Sequence, residues 1–288
     1  MKYADQNIET KILTRVPTIL EFHSDDEKPV GVTLKKIAII DTETTGLDSS
    51  KDEIIELGFM IVEYDESGRM YRVLERFNQL NEPIQPISEV IHNVTGITNE
   101  ELKGQRIDWE QVGLKLADVD LFIAHNAGFD RKFLERYSDV FVNKAWACSQ
   151  TMVDYLKLFH CGKNNQEFLV WKVCDSYYDA HRAIDDTNAL SLLLHTADEN
   201  GVTVLKHILE ESKKSACVIK AFRAPFDDKD NLKAMGCRWN ADKRVWEINA
   251  TSDTKDSVLA KMKEASPSCQ PSIVEINAKD RFSIREGA

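Results

Sequence analysis

Asp41 and Glu43 stand one residue apart at the end of the apolar run Ile37–Ile40, in the stretch IAIIDTETTGL. Positions i and i+2 of a strand project from one face, so the two carboxylates sit side by side at the edge of a core. Adjacent anions are costly there unless a cation neutralises them. A hard divalent cation such as Mg²⁺, which takes oxygen ligands, meets that need. Thr44, Thr45 and Gly46 then break the strand, and the glycine lets backbone approach a ligand closely. Taken alone, a D-x-E after an apolar run also describes a strand end turning into solvent.

Two later stretches add to the set. Asp130 closes AHNAGFD (124–130), at the start of a helix that follows a buried strand, where the helix dipole favours an anion. His181 and Asp186, in HRAIDD, are five apart. That spacing suits a histidine just before a helix and an aspartate in its first turn or two. Four carboxylates can hold two metal ions and still leave positions for water and phosphate oxygens. The imidazole can take a proton from water near neutral pH.

The elements that must position these residues follow from hydrophobic periodicity. IAIID, EIIELGFMIVEYD (53–65) and YRVLERFNQL (71–80) read as three strands joined by short links, an antiparallel meander. ISEVIHNVTG (87–96) reads as a short helix ending at Gly96. NEELKGQRIDWEQVGLKLADV begins another, with Asn99 as N-cap and a loop near Gly104. LFIAHN (121–126) is a buried strand, and GFDRKFLERY (128–137) a helix with Phe129, Phe133 and Leu134 on one face. AWACSQTMVDYLKLF passes from strand to helix, and EFLVWKVCDSYY is helical. AHRAIDDTNALSLLLHTADENG is a long helix ended by Gly201. The fold class expected is α/β, a mixed sheet flanked by helices over 35–200, with a small C-terminal α+β module.

At this point the chain closely resembles the DEDDh family of 3′→5′ exonucleases, a ribonuclease H-like group. DTETTGL, HNAGFD and HRAIDD match its three motifs in order, and TGIT (95–98) resembles the family as well. The resemblance covers about 35–200. It implies Asp41, Glu43, Asp130 and Asp186 as ligands of two divalent ions, Mg²⁺ with Mn²⁺ as substitute, and His181 as general base. Asp185 competes for the last ligand position, and the family spacing selects Asp186. The implied reaction is two-metal hydrolysis that releases nucleoside 5′-monophosphates from DNA 3′ ends, in repair or proofreading. An RNA-trimming enzyme or oligoribonuclease is the alternative, and a non-catalytic nucleic-acid-binding protein a third reading. Thr44, Gly46 and Leu47 follow the ligand pair where the family's backbone and an apolar side chain meet the terminal nucleotide. Leu47 can equally pack in the core, and Asn126 can bond substrate or tie down its strand end. His125, Phe129 and Cys148 read as structural.

Composition bounds the rest. A net charge of −11 argues against a protein that coats nucleic acid nonspecifically, though not against an enzyme that grips one chain end. Six scattered cysteines without a C-x-x-C pair give no zinc site and no disulfide framework. The start MKYADQNIETK lacks the basic residues and apolar stretch of a signal peptide, and no run approaches a membrane span, so a cytoplasmic protein is expected. Residues 1–34 read as an extension with one helix, 201–216 as a linking helix, 217–265 as the accessory module and 266–288 as a tail or extra strand.

Residues 217–250 hold seven Lys/Arg against five acidic residues, a local reversal of sign. Strand 217–222, helix 228–235 and a hairpin around NADK with Trp239 and Trp246 on its arms are expected. LKAMGCRWNADKRVW (232–246) resembles small accessory modules of some DNA-processing proteins. Its tryptophans, Phe222 and Phe226 are either core or a stacking platform for single strands. A nucleic-acid grip and a dock for a polymerase or other protein both remain open.

Overall fold

The computed structural model describes residues 11–18, 20, 22, 31–241 and 243–285. A two-residue strand β1 (Thr14–Arg15) precedes three long strands, β2 (Lys35–Thr44), β3 (Ile54–Tyr64) and β4 (Met70–Leu80). Helices α1 (Glu89–Thr95), α2 (Asn99–Leu102) and α3 (Trp109–Leu116) lead to β5 (Leu121–Ala124). Helices α4 (Ala127–Leu134) and α5 (Asp139–Asn143) lead to β6 (Ala145–Cys148). Then come α6 (Tyr155–Phe159), α7 (Gln166–Val173), β7 (Ser176–Tyr177), α8 (Ala183–His195) and α9 (Val204–Lys213). The remainder comprises β8 (Ala216–Phe222), α10 (Lys229–Ala234), β9 (Arg238–Asn240), β10 (Val245–Thr251), α11 (Lys255–Ala265) and β11 (Gln270–Ile276).

The first sheet runs β4-β3-β2-β5-β6. β4, β3 and β2 form the antiparallel meander, and β5 and β6 lie parallel to β2 and to each other. Ile37 to Ile40 are fully buried because β2 is covered on both faces. Ile37 and Ile39 pack with Leu190, Leu193 and Leu194 of α8 and with Leu205 and Ile208 of α9. Ala38 and Ile40 pack the other way, with Val112 of α3, Phe133 of α4 and Phe141 of α5. Each fully buried isoleucine contributes roughly 1.5–3 kcal/mol. By the same alternation, Asp41 and Glu43 emerge on the α8 face and Thr42 on the α4 face.

The second sheet, β11-β8-β10-β9, is antiparallel throughout. Cys217, Ile219 and Ala221 of β8 and Trp246 of β10 form its core with Leu232 of α10 and Met262 of α11. Trp239 pairs with Trp246 across the hairpin and leans on it, ring centroids 5.4 Å apart. Trp246 is therefore core, while Phe226 stays 78% exposed beneath the Lys229 ammonium.

Residues beyond β11 fold back onto α4. Arg131, fully buried, donates to the carbonyls of Arg281 (2.7 Å) and Lys279 and pairs with Glu135 at 2.8 Å. Arg281 in turn donates to the Lys214 carbonyl at the end of α9. Two distant segments thus clamp the helix that carries Asp130. Among the described residues no helix is long and apolar enough to cross a membrane.

Four local expectations are corrected. The N-cap of α2 is Thr98, not Asn99. Thr98 accepts from the Glu101 N–H (3.2 Å), and Glu101 accepts the Thr98 N–H (2.8 Å). Asn99 is drawn off to the Ile87 N–H at 2.8 Å. The long helix ends at His195 rather than near Gly201, because Asp198 accepts the Asn200 and Val202 N–H groups and closes a separate turn. The helix 167–178 stops at Val173. Asp175, at φ 50°, redirects the chain, and Ser176–Tyr177 pair in parallel with Thr14–Arg15. In the N-terminal extension, residues 11–18 supply β1 and no helix, and the rest of that expectation lies outside the described residues.

Candidate active site

The end of β2 brings carboxylates from two elements together. Asp41, Glu43 and Asp186 each offer an oxygen within 4.8 Å of the others. Asp186 comes from the first turn of α8 and Asp41 and Glu43 from the strand beneath it. Asp185 lies outside this group. Asp130 approaches from the α4 side, accepting the Thr42 N–H at 3.1 Å and the Thr42 hydroxyl at 2.9 Å. Thr42, between the two acidic residues of the strand, thus fixes the fourth carboxylate against the other three.

Gly58 sets how closely α8 can lie on this strand pair. It faces Asp41 in the β2–β3 register. A Cβ there would come within 2.5 Å of the Ala183 carbonyl carbon, in the first residue of α8. Glu56, fully buried two residues earlier, accepts the Ala183 N–H at 3.1 Å. It also takes two bonds from Arg182, Nε and Nη2, each at 3.1 Å, and one from Asn78 at 2.9 Å. One buried carboxylate therefore satisfies a helix N-terminus and a guanidinium together.

Asp186 is oriented in turn by three donors. The Tyr178 hydroxyl donates at 2.8 Å, the Gln166 amide at 3.2 Å and the His181 N–H at 2.8 Å. His181 itself is exposed, at φ 70°, just before α8. Its ring makes no hydrogen bond to a described residue.

Electrostatics follow from this crowding. Burial first, then the charges of Asp186, Asp130 and Glu43, hold Asp41 well above the usual carboxylate range. Burial, Asp186 and Glu56 push Glu43 up to about 8. Burial raises Asp130 to about 7 despite its bonds from Thr42, and Asp186 to about 6 despite Tyr178 and the His181 N–H. Arg182, which lowers Glu43, is engaged by Glu56. An all-oxygen cluster of this charge fits hard divalent cations rather than soft ones.

The remaining expected residues divide. The Thr44 hydroxyl donates to the Gly46 carbonyl at 2.6 Å and shapes the turn after β2. Gly46 is crowded by Asp52, whose carboxylate would sit 2.5 Å from a Cβ. Leu47 is 87% exposed, so it is not a core residue. Asn126 is exposed and makes no side-chain cap to α4, so it does not tie down its strand end. His125 is structural: its ring nitrogens meet the Ser149 hydroxyl and the Asn164 carbonyl, each at 2.7 Å. Cys148 is buried and bonds the His125 carbonyl.

Glu56, Gly58, Gln166, Tyr178 and Arg182 were not among the residues expected at the site. A signal exists for Glu56 and Gly58, since a Glu and a Gly inside the apolar run EIIELGFMIV are out of character. Nothing in the spacing of Gln166 or Tyr178 announces Asp186.

From Leu47 and Asn126 a cleft of about 930 Å³ runs past Lys132 of α4 to Arg238, Asn249 and Thr251 of the second sheet.

An exonuclease family model named for RNase T matches residues 38–194, and the chain belongs to this exonuclease family of hydrolases. It is 28% identical over 185 residues to a PolC-type DNA polymerase III of Thermotoga maritima, which covers 62% of this chain. It is 30% identical over 180 residues, 58% of its length, to that of Staphylococcus saprophyticus. The matches span only 13% and 12% of those two polymerases. Among solved structures it is similar to exonuclease X in complex with 5′ overhanging duplex DNA, at 19% identity and a TM-score of 0.40. That match covers 59% of this chain and 99% of the other. E. coli exonuclease I in complex with a dT13 oligonucleotide is matched at 16% identity and a TM-score of 0.44, over 56% of this chain and 41% of the other.

Proposed function

We propose that this chain is a divalent-metal-dependent 3′→5′ exonuclease that releases nucleoside 5′-monophosphates from DNA 3′ ends. The observation that carries the reading is the approach of Asp41, Glu43 and Asp186 to within 4.8 Å, with Asp130 fixed beside them by Thr42. The PolC-type relatives, DNA polymerases by name, support DNA as the substrate. Asp41, Glu43, Asp130 and Asp186 would hold two Mg²⁺ or Mn²⁺ ions, which supply Lewis-acid stabilisation of charge on the attacking and leaving oxygens.

The chain's own residues do the rest. His181 presents an unengaged ring, anchored through its backbone N–H on Asp186, and takes the proton of the attacking water. The water oxygen bonds to phosphorus in line as the bond from phosphorus to the leaving 3′ oxygen breaks. Exposed Leu47 and Asn126 flank the site and orient the terminal nucleotide, and the turn built by Thr44 and Gly46 offers backbone to it.

The test is a panel of single-stranded, blunt and 3′-extended DNA, with matching RNA, each with Mg²⁺, Mn²⁺ or excess EDTA. Mononucleotides should leave DNA 3′ ends and only with metal. Full activity in EDTA, or release from 5′ ends, would sink the proposal, and faster turnover of RNA would reassign the sugar.

A further inference from the structure

The second sheet has a helical face and a face without helices. Lys220 of β8, Glu247 of β10 and Arg238 of β9 stand in register across the latter. The one acid in that row is also held by the Asn240 amide, at 3.0 Å. Arg238 and Asn249 of this face line the cleft, and Lys132 lines it from α4. Neither Arg238 nor Lys132 forms an ion pair with a described residue. The two acidic residues in the cleft wall are already matched: Asp48 pairs with Lys51 at 2.8 Å and Glu211 with Lys214 at 2.6 Å. In a chain of net charge −11, this leaves a locally cationic channel.

The cleft begins beside the loops that carry the candidate active site, although none of the four carboxylates lines it. Leu47 lies four residues beyond Glu43, and Asn126 four before Asp130. Its volume, about 930 Å³, is that of a small-ligand cleft. That volume accommodates a few nucleotides of one strand. The tryptophans play no part in it. Trp239 and Trp246 lie on the helical face, whereas Phe222, 43% exposed, shares the face of Lys220.

We propose that the single strand leading to the cleaved end runs through this cleft, with its phosphates on Arg238 and Lys132. The second sheet is then a track for unpaired nucleic acid. The proposal rests on the hydrolase reading for its direction, and its test separates the two.

Binding of labelled oligothymidylate and oligouridylate to the full-length protein is read by fluorescence anisotropy over a salt series, without turnover. Arg238→Ala and Lys132→Ala should each weaken binding several-fold. Each should also lower the salt slope by about 0.7, the single-strand value per phosphate. Arg238→Lys should restore most of the affinity, since a lysine still meets a phosphate. Where turnover is measured, Arg238→Ala should raise KM on a long strand several-fold more than on a dinucleotide, which cannot reach the sheet. Unchanged affinity and salt slope in both alanine variants would overturn the track. Absence of cleavage by the unmutated protein would instead overturn the hydrolase reading and leave the binding result standing.

Discussion

Gly58 and Ala183 meet backbone to backbone. The hydrogen of the glycine leaves just enough room for the first residue of α8, and a methyl would sit 2.5 Å from its carbonyl carbon. Main chain on both sides offers no flexible side-chain end that can move aside. Gly58→Ala therefore shifts the start of α8, and with it His181 and Asp186, relative to Asp41. A displacement of about 1 Å costs on the order of a hundredfold in rate. Gly58→Ala should lower kcat by tenfold or more and lower Tm, both measured on the full chain. A variant of normal rate would show that α8 tolerates the shift.

Mg²⁺ or Mn²⁺ should raise Tm, because a ligand that binds only the folded state stabilises it by mass action, about 2.7 kcal/mol at a hundred times Kd. Asp41→Asn removes a charge from the centre of the cluster and should erase most of that rise, together with nuclease activity. Scanning calorimetry with and without metal reads it. An undiminished rise in Asp41→Asn would place the ions elsewhere.

His181→Ala separates proton transfer from metal binding. The ring bonds no described residue, and the Asp186 contact is made by backbone, which alanine keeps. The metal-induced rise in Tm should survive while kcat falls at least ~10²-fold, the usual scale for a positioned base. Near-normal turnover between pH 6 and 9 would remove His181 from the role.

The acidic cluster should make the metal-free protein less stable as pH rises. Glu43 at about 8 and Asp130 at about 7 keep their protons in the folded chain after the unfolded chain has lost them. The folded state then binds more protons than the unfolded one, so stability falls with increasing pH until the folded values are passed. His125, buried and depressed to about 4, has the opposite slope, but only up to the ordinary histidine range. Asp48 and Asp253, held low by Lys51 and Lys214, act only in acid. The window from about pH 6.5 to 8 belongs to the cluster. There Tm should drop by several degrees without metal, and saturating Mg²⁺ should flatten the curve. A Tm that climbs through this window in EDTA would contradict the assignment.

The long strands and the meander of the first three were legible because hydrophobic patterning is a local property. Ile37–Ile40 and the runs of β3 and β4 announce their burial, and the parity of Asp41 and Glu43 places both on one face without reference to the rest of the chain. Helix ends were harder. Thr98 and Asn99 are adjacent, both are good caps, and only the Ile87 N–H, twelve residues away, draws Asn99 off. The partners of the site were hidden for the same reason. Glu56 meets Arg182 at a separation of 126 residues, and Gln166 reaches Asp186 across two helices. In the second sheet, composition announced the positive charge but not which face would carry it. That depended on the register of β8, β10 and β9.

The clamp on Arg131 ties the helix carrying Asp130 to the order of synthesis. Two of the carbonyls that receive its guanidinium, those of residues 279 and 281, leave the ribosome about 150 residues after it does. At 5–20 residues per second that is a delay on the order of ten seconds. Through that interval the arginine beside Asp130 has Glu135 and the Val142 carbonyl but not its distant acceptors. A buried charge is tolerated only when its hydrogen bonds are complete. The helix carrying Asp130 therefore acquires its complete set of Arg131 bonds only after residues 279–281 have joined it, long after all three acidic motifs have been made.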